Sequence, residues 1–394
     1  MSEKPRVLLL SASSGAGHVR AAQALEKAFV ARGDCRVEHV DVIEHVSKVF
    51  QRLYDKTYIN MVRRAPELMG VLYDRTDKPW EKMRPRLAID RLNTQPMIRM
   101  LKRAQPDLCI ATHFLPAEIL AWLIAKKKLQ TRNAIVVTDY DVHAMWLCRT
   151  VNRYYVAIPE AAEYLAGIGV LRDIIRVTGI PVDPLFSAAV DRAAARKHLK
   201  LDAAAPVILI AAGGYGIGPV EQLVHDLLAL QKPWQIVAIA GKSEQVKKKL
   251  EDIAVQAGNL PQSNLPQSNL PSEGGQSRAP RLVPVGFTRE MDQYMAAADL
   301  LVGKAGGLTT SEALARALPM ALIEPIPGQE ERNADHLLEE GAAIRCNNLP
   351  AAAWKIAGLL NDAQRLARMK DAARKLGRPN AAAEIATDAL KLLH

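Results

Sequence analysis

The chain has 394 residues, of which 49% are hydrophobic and 24% are charged, and its formal net charge is +10. This composition is typical of a folded globular protein, and the length exceeds what one hydrophobic core normally organises, so we expect two domains. No apolar run approaches the ~18 residues of a membrane-spanning helix. The run at residues 7–10 is too short for a signal peptide, and we expect none.

The positive charge is concentrated in residues 48–103, which contain fourteen Lys and Arg against six Asp and Glu. Basic side chains mixed with aromatic and aliphatic ones favour an anionic membrane surface, where each nearby Lys or Arg contributes about 1 kcal/mol. Nucleic acid is the competing partner for such charge. No nucleic-acid-binding module is recognisable, so we expect no nucleic acid. A solvated basic helix face over ordinary core residues is the third interpretation.

The four cysteines are Cys35, Cys109, Cys148 and Cys346. Their spacing matches neither a zinc site nor a disulfide framework. We expect reduced thiols in the core of an intracellular protein.

The first half of the chain alternates apolar runs with helical patterns. A strand at Arg6–Ser11 is followed by a glycine turn at residues 13–17 and a helix to about residue 31. This order predicts a parallel sheet with helices on both faces. Ligands bind such sheets at the carboxyl ends of the strands, so His18, His113 and residues 139–146 should converge there. Further strands are predicted at residues 36–42, 108–111, 134–138 and 154–158.

A turn at residues 179–182 marks the crossing to a second alternation of the same kind. We therefore predict an acceptor- and membrane-binding domain at 1–182, a nucleotide-sugar-binding domain at 183–375, and a C-terminal helix at 376–394 that crosses back. Strands are predicted at residues 207–211, 236–240, 282–285, 298–302 and 321–325.

Residues 259–280 repeat the pentapeptide Asn-Leu-Pro-Gln-Ser. Proline at every fifth position excludes a helix, and the polar remainder cannot form a core. We predict a flexible surface insertion without a catalytic part.

Residues 303–307 form a glycine turn between an apolar strand and a helix that begins with Thr and Ser. Such a turn lets backbone amides and a helix N-terminus bind phosphate, although many proteins use it for the turn alone. Glu312, one turn into the helix, suits ribose hydroxyls or simply complements the helix dipole. Gln329 and Glu330 follow the next strand and suit the vicinal hydroxyls of a hexose.

Three motifs in order resemble the donor half of one glycosyltransferase family. They are Gly-Phe-x(3)-Met at 286–291, Lys-Ala-Gly-Gly-Leu-Thr-x-Ser-Glu-Ala at 304–313 and Pro-Gly-Gln-Glu-x-x-Asn at 327–333. The sequence is similar to monogalactosyldiacylglycerol synthases and processive diacylglycerol glucosyltransferases over nearly its whole length. The long segment at 259–280 departs from this pattern, in which a short connection is expected.

The resemblance implies an α/β fold of the GT-B type, with two Rossmann-like parallel-sheet domains facing across a cleft. It implies inverting transfer of a hexose from UDP-glucose or UDP-galactose to 1,2-diacylglycerol without a cofactor. It also implies peripheral attachment to the cytoplasmic side of the cell membrane.

His18 is the predicted general base, because it begins a helix at the cleft and an imidazole with a pKa near ~6.5 accepts a proton at neutral pH. The family resemblance supports this role, whereas a histidine at a helix start can also simply cap or pack. The loop at 139–146 resembles the family's acceptor loop, which makes His143 and Trp146 predicted acceptor-binding residues, although Trp146 can also simply pack in the core. His113 is the third predicted acceptor-binding residue, and His113 and His143 are also the alternatives to His18 as the base. The predicted donor-binding residues are Gly17, Gly213, Gly214, Phe287, Met291, Lys304, Ala305, Gly306, Gly307, Leu308, Thr309, Glu312, Gln329, Glu330 and Asn333.

Asp139 and Asp141 have the Asp-x-Asp form that binds a divalent metal in other glycosyltransferases. They lie far in sequence from the donor motifs, so we expect no metal and assign the leaving diphosphate to the 303–307 turn and its helix dipole. The alternatives are a lipid-linked GlcNAc transferase or a UDP-GlcNAc 2-epimerase on the same fold, and a non-catalytic UDP-sugar-binding regulator.

Overall fold

The computed structural model describes residues 4–13, 15–47, 66–81, 90–211, 219–258 and 281–394. Within these ranges the strands form two parallel sheets of six strands each. The strands are β1 (Arg6–Ser11), β2 (Arg36–Asp41), β3 (Leu108–Ala111), β4 (Arg132–Val136), β5 (Arg153–Val156), β6 (Ile175–Val177), β7 (Val207–Ala211), β8 (Gln235–Ile239), β9 (Arg281–Val285), β10 (Leu300–Gly303), β11 (Met320–Ile323) and β12 (Ala343–Cys346).

Helices connect these strands and cover both faces of each sheet. They are α1 (Ala16–Arg32), α2 (Pro66–Thr76), α3 (Gln95–Ala104), α4 (Phe114–Ala125), α5 (Pro159–Gly167), α6 (Arg192–His198), α7 (Val220–Ala229), α8 (Glu244–Gln256), α9 (Met291–Ala297), α10 (Gly307–Ala315), α11 (Gln329–Glu339), α12 (Leu349–Asn361), α13 (Ala363–Leu376) and α14 (Ala381–Leu390).

Strand order determines where each sheet can bind a ligand. The first sheet runs β2-β1-β3-β4-β5-β6, and the second runs β9-β8-β7-β10-β11-β12. Chain direction across the sheet reverses between β1 and β3 and between β7 and β10, which opens a crevice at the carboxyl ends of those strands. His18 follows β1 and the 303–307 turn follows β10. Topology therefore places both predicted centres at a switch point.

The central strands are apolar because helices cover both of their faces. In β1 all residues from Val7 to Leu10 are at most 3% exposed. Helix α1 buries a stripe that contains Ala21, Leu25 and Ala28, whose three- and four-residue spacing puts them on one helix face. This packing fixes the start of α1, and with it His18, against the sheet.

The last helix, α14, packs on the first sheet and on α1. Ile385 and Ala386 are fully buried in one cluster with Leu25 and Phe29. At the same surface the Tyr155 hydroxyl donates to Asp388 Oδ2 at 3.0 Å. The first domain thus includes residues from both ends of the sequence.

Two strands, β6 and β12, were not predicted from the sequence. Each is short, lies at one edge of its sheet and carries an arginine, so the apolar signal is weak. The insertion at 259–280 and residues 48–65 and 82–89 of the basic segment lie outside the described residues. Helix α2, which belongs to that segment, is described.

Replacing Ile385 by Ala should lower the free energy of unfolding by about 2–5 kcal/mol, because it leaves a cavity beneath α14. Val30 lies in α1 and is 64% exposed. Val30→Ala is therefore the matched control and should change the free energy of unfolding little. Chemical denaturation measures both variants. Equal losses would mean that α14 does not stabilise the first sheet.

Candidate active site

His18 lies in the first turn of α1, at the carboxyl edge of the first sheet. Its Nδ1 is 2.8 Å from the carbonyl oxygen of Thr112 and 2.9 Å from Oγ1 of Thr138. A carbonyl can only accept, so Nδ1 carries the hydrogen and Nε2 keeps its lone pair. Burial lowers the pKa of His18 to about 4, partly offset by the hydrogen bond to Thr112. The ring is therefore neutral at pH 7.

Aromatic side chains surround the His18 ring. His113 meets it edge to face with ring centroids 4.6 Å apart, and Trp146 lies at 6.2 Å. Phe114 packs on His113 with ring centroids 4.1 Å apart and planes tilted by 31°, and it meets Trp146 edge-on. The structure thus brings His18 together with two of the three predicted acceptor residues, on an apolar wall that explains the lowered pKa.

The starts of α1 and α10 lie side by side. A Cβ built on Gly17 would be 3.7 Å from Cβ of Leu308, and Arg20 pairs with Glu312 one turn further along. The first turns therefore run in the same direction. Neither helix has a side-chain cap or an acidic residue in its first turn. Both leave backbone N–H groups and positive dipole ends pointing to one place, as an anion site requires.

Glu312 is 1% exposed. Burial raises its pKa to about 7, against the opposing effect of Arg20. Oε1 accepts from Arg20, and Oε2 has no hydrogen-bond partner among the described residues. A buried carboxylate oxygen without a partner is costly, and a ribose hydroxyl would satisfy it.

Gly307 begins α10 and packs against the loop that follows β4. A Cβ at this position would be 2.1 Å from the carbonyl oxygen of Thr138 and 3.2 Å from Cδ1 of Ile180. Only glycine therefore fits while the two domains keep this contact.

The first turn of α11 binds the opposite domain through Asp139. Gln329 Nε2 donates to Asp139 Oδ1 at 2.7 Å, and Asn333 Nδ2 lies 3.5 Å from the same oxygen. Asn333 also donates to the carbonyl of Ala305 and accepts from the amide of Tyr140. Burial raises the pKa of Asp139 to about 6, and the two amide donors oppose this effect. Gln329 and Asn333 thus join the two domains.

Glu330 lies beside the glycine turn. Its Oε2 accepts from the amide of Ile326 at 2.7 Å, and its Oε1 is 3.7 Å from a Cβ built on Gly306. Burial raises the pKa of Glu330, and the nearby charge of Lys304 lowers it. Ala305 is buried, and Thr309 is half-buried in the first turn of α10.

Helix α2 covers the loop that precedes α11, a contact that the sequence did not predict. A Cβ on Gly70 would be 2.8 Å from Pro327, and one on Gly328 would be 2.7 Å from Tyr73. Arg332, in α11, lies over the Tyr73 ring. In the sequence, the only sign of this contact is a glycine at each position of close approach. A glycine does not show which segment packs against it.

His143 joins this contact. Its Nε2 is 2.9 Å from the carbonyl oxygen of Tyr73, and its Nδ1 accepts from the amide of Met145. Both ring nitrogens therefore have protein partners, and its role towards an acceptor stays a prediction.

Two predicted donor-binding residues, Phe287 and Met291, lie just before and at the start of α9. Phe287 is 61% exposed, with Lys242 Nζ 5.8 Å from its ring centroid. Met291 is half-buried. Gly213 and Gly214 lie outside the described residues.

Asp139 and Asp141 bind protein donors. Asp141 pairs with Arg332, which also binds Asp77 at 2.8 Å, and Asp139 binds Gln329. In the described ranges no group of three or more His, Cys, Asp or Glu side chains is placed to hold a metal ion.

Residues 18–182 match the family model for monogalactosyldiacylglycerol (MGDG) synthase, and residues 223–388 match the glycosyltransferase family 28 C-terminal domain. Each half of the chain thus matches a glycosyltransferase model, and the chain is a glycosyltransferase. The processive diacylglycerol beta-glucosyltransferase of Staphylococcus saprophyticus is 27% identical to this glycosyltransferase, over 100% of the chain and 94% of the relative. The family predicted from the three sequence motifs is confirmed.

Solved structures share the whole fold. Acinetobacter baumannii MurG superposes with a TM-score of 0.60 at 17% identity, covering 98% of this glycosyltransferase and 99% of MurG. The S. aureus MnaA-UDP co-structure gives 0.60 at 13% identity, with 99% and 98% covered. The predicted GT-B fold is confirmed. Among the described helices, none is long and apolar enough to cross a membrane.

Replacing Gly307 by Ala should lower the free energy of unfolding by about 1–3 kcal/mol, because the new methyl group overlaps the Thr138 carbonyl. Gly358→Ala is the matched control, since nothing lies within 4 Å of its Cβ position in α12. It should be neutral or stabilising. Denaturation curves decide, and equal midpoints for the two variants would contradict the close contact.

Proposed function

We propose that this glycosyltransferase moves a hexose from UDP-glucose or UDP-galactose to the free hydroxyl of 1,2-diacylglycerol, with inversion at the anomeric carbon. The observation that carries the proposal is the position of neutral His18 beside the paired starts of α1 and α10. A base and an anion site then face the same space. The MGDG synthase match in the half that contains His18 favours a diacylglycerol acceptor over the GlcNAc transferase and epimerase alternatives.

His18 is the general base of the proposed reaction. Nδ1 is held by Thr112 and Thr138, which fixes the ring and leaves Nε2 to accept a proton. The acceptor hydroxyl gives its proton to Nε2 while its oxygen bonds to the anomeric carbon. The bond from that carbon to the diphosphate oxygen breaks at the same time, and an α-linked donor gives a β-linked product.

The leaving UDP gains negative charge, which the protein must stabilise. The N–H groups at the start of α10 and the dipoles of α1 and α10 supply that stabilisation in the proposed mechanism. Arg20 and Lys304 add positive charge nearby. Asp139 and Asp141 already accept hydrogen bonds from Gln329 and Arg332, which supports diphosphate stabilisation by these groups rather than by a metal on the Asp-x-Asp pair.

The remaining predicted donor residues fit around this centre. Glu312 Oε2 is available to a ribose hydroxyl, and Gln329 and Glu330 face the sugar. Phe287 and Met291 would contact uracil. The Phe287 ring is exposed, so the base could stack on it.

We also propose that the protein acts at the cytoplasmic face of the cell membrane as a peripheral enzyme. Diacylglycerol resides in the bilayer, so the acceptor side of the cleft must reach it. The excess of Lys and Arg in residues 48–103 supports attraction to anionic lipid.

Purified protein should convert dioleoylglycerol, in vesicles that contain phosphatidylglycerol, to a hexosyl-diacylglycerol detected by mass spectrometry. UDP-glucose and UDP-galactose are supplied in parallel reactions, and the productive donor identifies the sugar. Vesicle sedimentation is the control for binding. No lipid product from either donor with bound vesicles would contradict the proposal and favour the non-catalytic alternative.

His18→Ala should lower turnover by about 10²–10⁴-fold, because it removes the base. UDP affinity, measured by calorimetry, should stay within a few-fold of the wild type. His225→Ala, at an exposed position of α7, is the matched control. Comparable loss of turnover and UDP binding would mean that His18 is structural.

Because the pKa of His18 is lowered to about 4, the neutral form needed for catalysis persists as pH falls below 6.5. Titration of His18 should therefore cause no fall in kcat/KM for diacylglycerol at saturating donor between pH 8 and 6. An initial-rate series in that range measures it. Because Glu312 also titrates in this range, a fall with a midpoint near 6.5 that persists in Glu312→Gln would indicate a base with an unshifted imidazole.

A further inference from the structure

The first turn of α11 carries Gln329 and Glu330, the two proposed sugar-binding residues. Gln329 and Glu330 directly follow the loop at residues 324–328, which ends at Gly328 with φ of 85°. That backbone conformation favours glycine. Tyr73 of α2 packs against Gly328. The direction of the two side chains is therefore set by a firmly packed helix start.

The amide of Gln329 has a defined orientation. A carboxylate only accepts hydrogen bonds, so the atom facing Asp139 Oδ1 at 2.7 Å must be the donor Nε2. The carbonyl oxygen Oε1 is turned to the other side. Among the described residues Oε1 has no hydrogen-bond partner, which leaves it for a ligand.

Glu330 presents the same chemistry. Its Oε2 is occupied by the amide of Ile326, and its Oε1 lies beside Gly306. The atoms that remain on both residues are acceptors. A hexose that binds here must donate two hydroxyl hydrogens.

Asp139 is itself held in place. It is 7% exposed in the loop that follows β4, and Asn333 approaches the same oxygen that Gln329 binds. Asn333 is fixed by backbone groups of both domains, Tyr140 and Ala305. The carboxylate therefore cannot follow a rotation of the Gln329 amide.

We infer that Asp139 is a positioning residue for the sugar of the donor. By fixing Nε2 of Gln329 it makes that side chain a pure acceptor, and it sets which hydroxyl pattern the site recognises. An unheld amide could turn by 180° and offer a donor instead. The inference rests on the proposed function, since it concerns how the nucleotide sugar is recognised.

Asp139→Asn tests the inference, because an asparagine of the same shape can pair with either orientation of the Gln329 amide. The quantity measured is the ratio of the affinities for UDP-hexose and for UDP, by calorimetry without lipid. We expect this ratio to fall about 10-fold for the preferred hexose, which corresponds to one well-placed hydrogen bond. UDP affinity itself should stay unchanged.

Two further variants separate orientation from domain contact. Gln329→Ala should lower the same ratio, and Asp139→Asn added to it should have no further effect. Asp141→Asn is the matched control, since Asp141 lies two residues away in the same interdomain contact but binds Arg332. It should leave the ratio unchanged.

The outcomes are distinct. A ratio that survives Asp139→Asn, an equal loss of UDP and UDP-hexose affinity, or the same loss in Asp141→Asn would overturn the inference while the proposed function stands. Wild-type protein that binds neither UDP nor either UDP-hexose would overturn both.

Discussion

The carbonyl oxygen of Thr138 leaves no room for a side chain at residue 307, and much of the site depends on this approach. The same residue holds His18 through its hydroxyl. The loop after β4 thus sets the position of the proposed base relative to the turn that begins α10. A displacement of either domain would change the distance between base and leaving group, which is the distance that determines whether an acceptor oxygen can attack in line.

Buried carboxylates from both domains surround this point. Burial raises the pKa of Asp139 and Glu312. A group from the opposite domain partly opposes this rise in each case, Gln329 for Asp139 and Arg20 for Glu312. Both pKa values stay raised despite these partners. Glu312 also keeps one oxygen without a hydrogen-bond partner in the described part of the chain. Unsatisfied acceptors at a domain interface suit a ligand rich in hydroxyl groups, and two helix starts suit its diphosphate.

The sequence was most informative where local patterns decide the structure. The central strands are apolar on both faces, and the glycine turns before α1 and α10 mark the switch points, so the fold and the place of the site could be predicted. The binding partners of Gln329 and Gly328 could not be predicted, because Asp139 and Tyr73 lie far away in sequence. Glycine at 307 was assigned to phosphate, whereas its neighbour Thr138 gives a second, steric reason that only tertiary structure reveals.

The return of α14 to the first sheet has a consequence for the order of folding during synthesis. Phe29 and Tyr155 are covered by α14, which is translated only after all strands of the second sheet. Until α14 leaves the ribosome, that apolar face stays open to solvent or to a chaperone. A fragment ending at residue 182 would carry the same open face permanently, so the first domain should be produced as part of the full chain or together with α14.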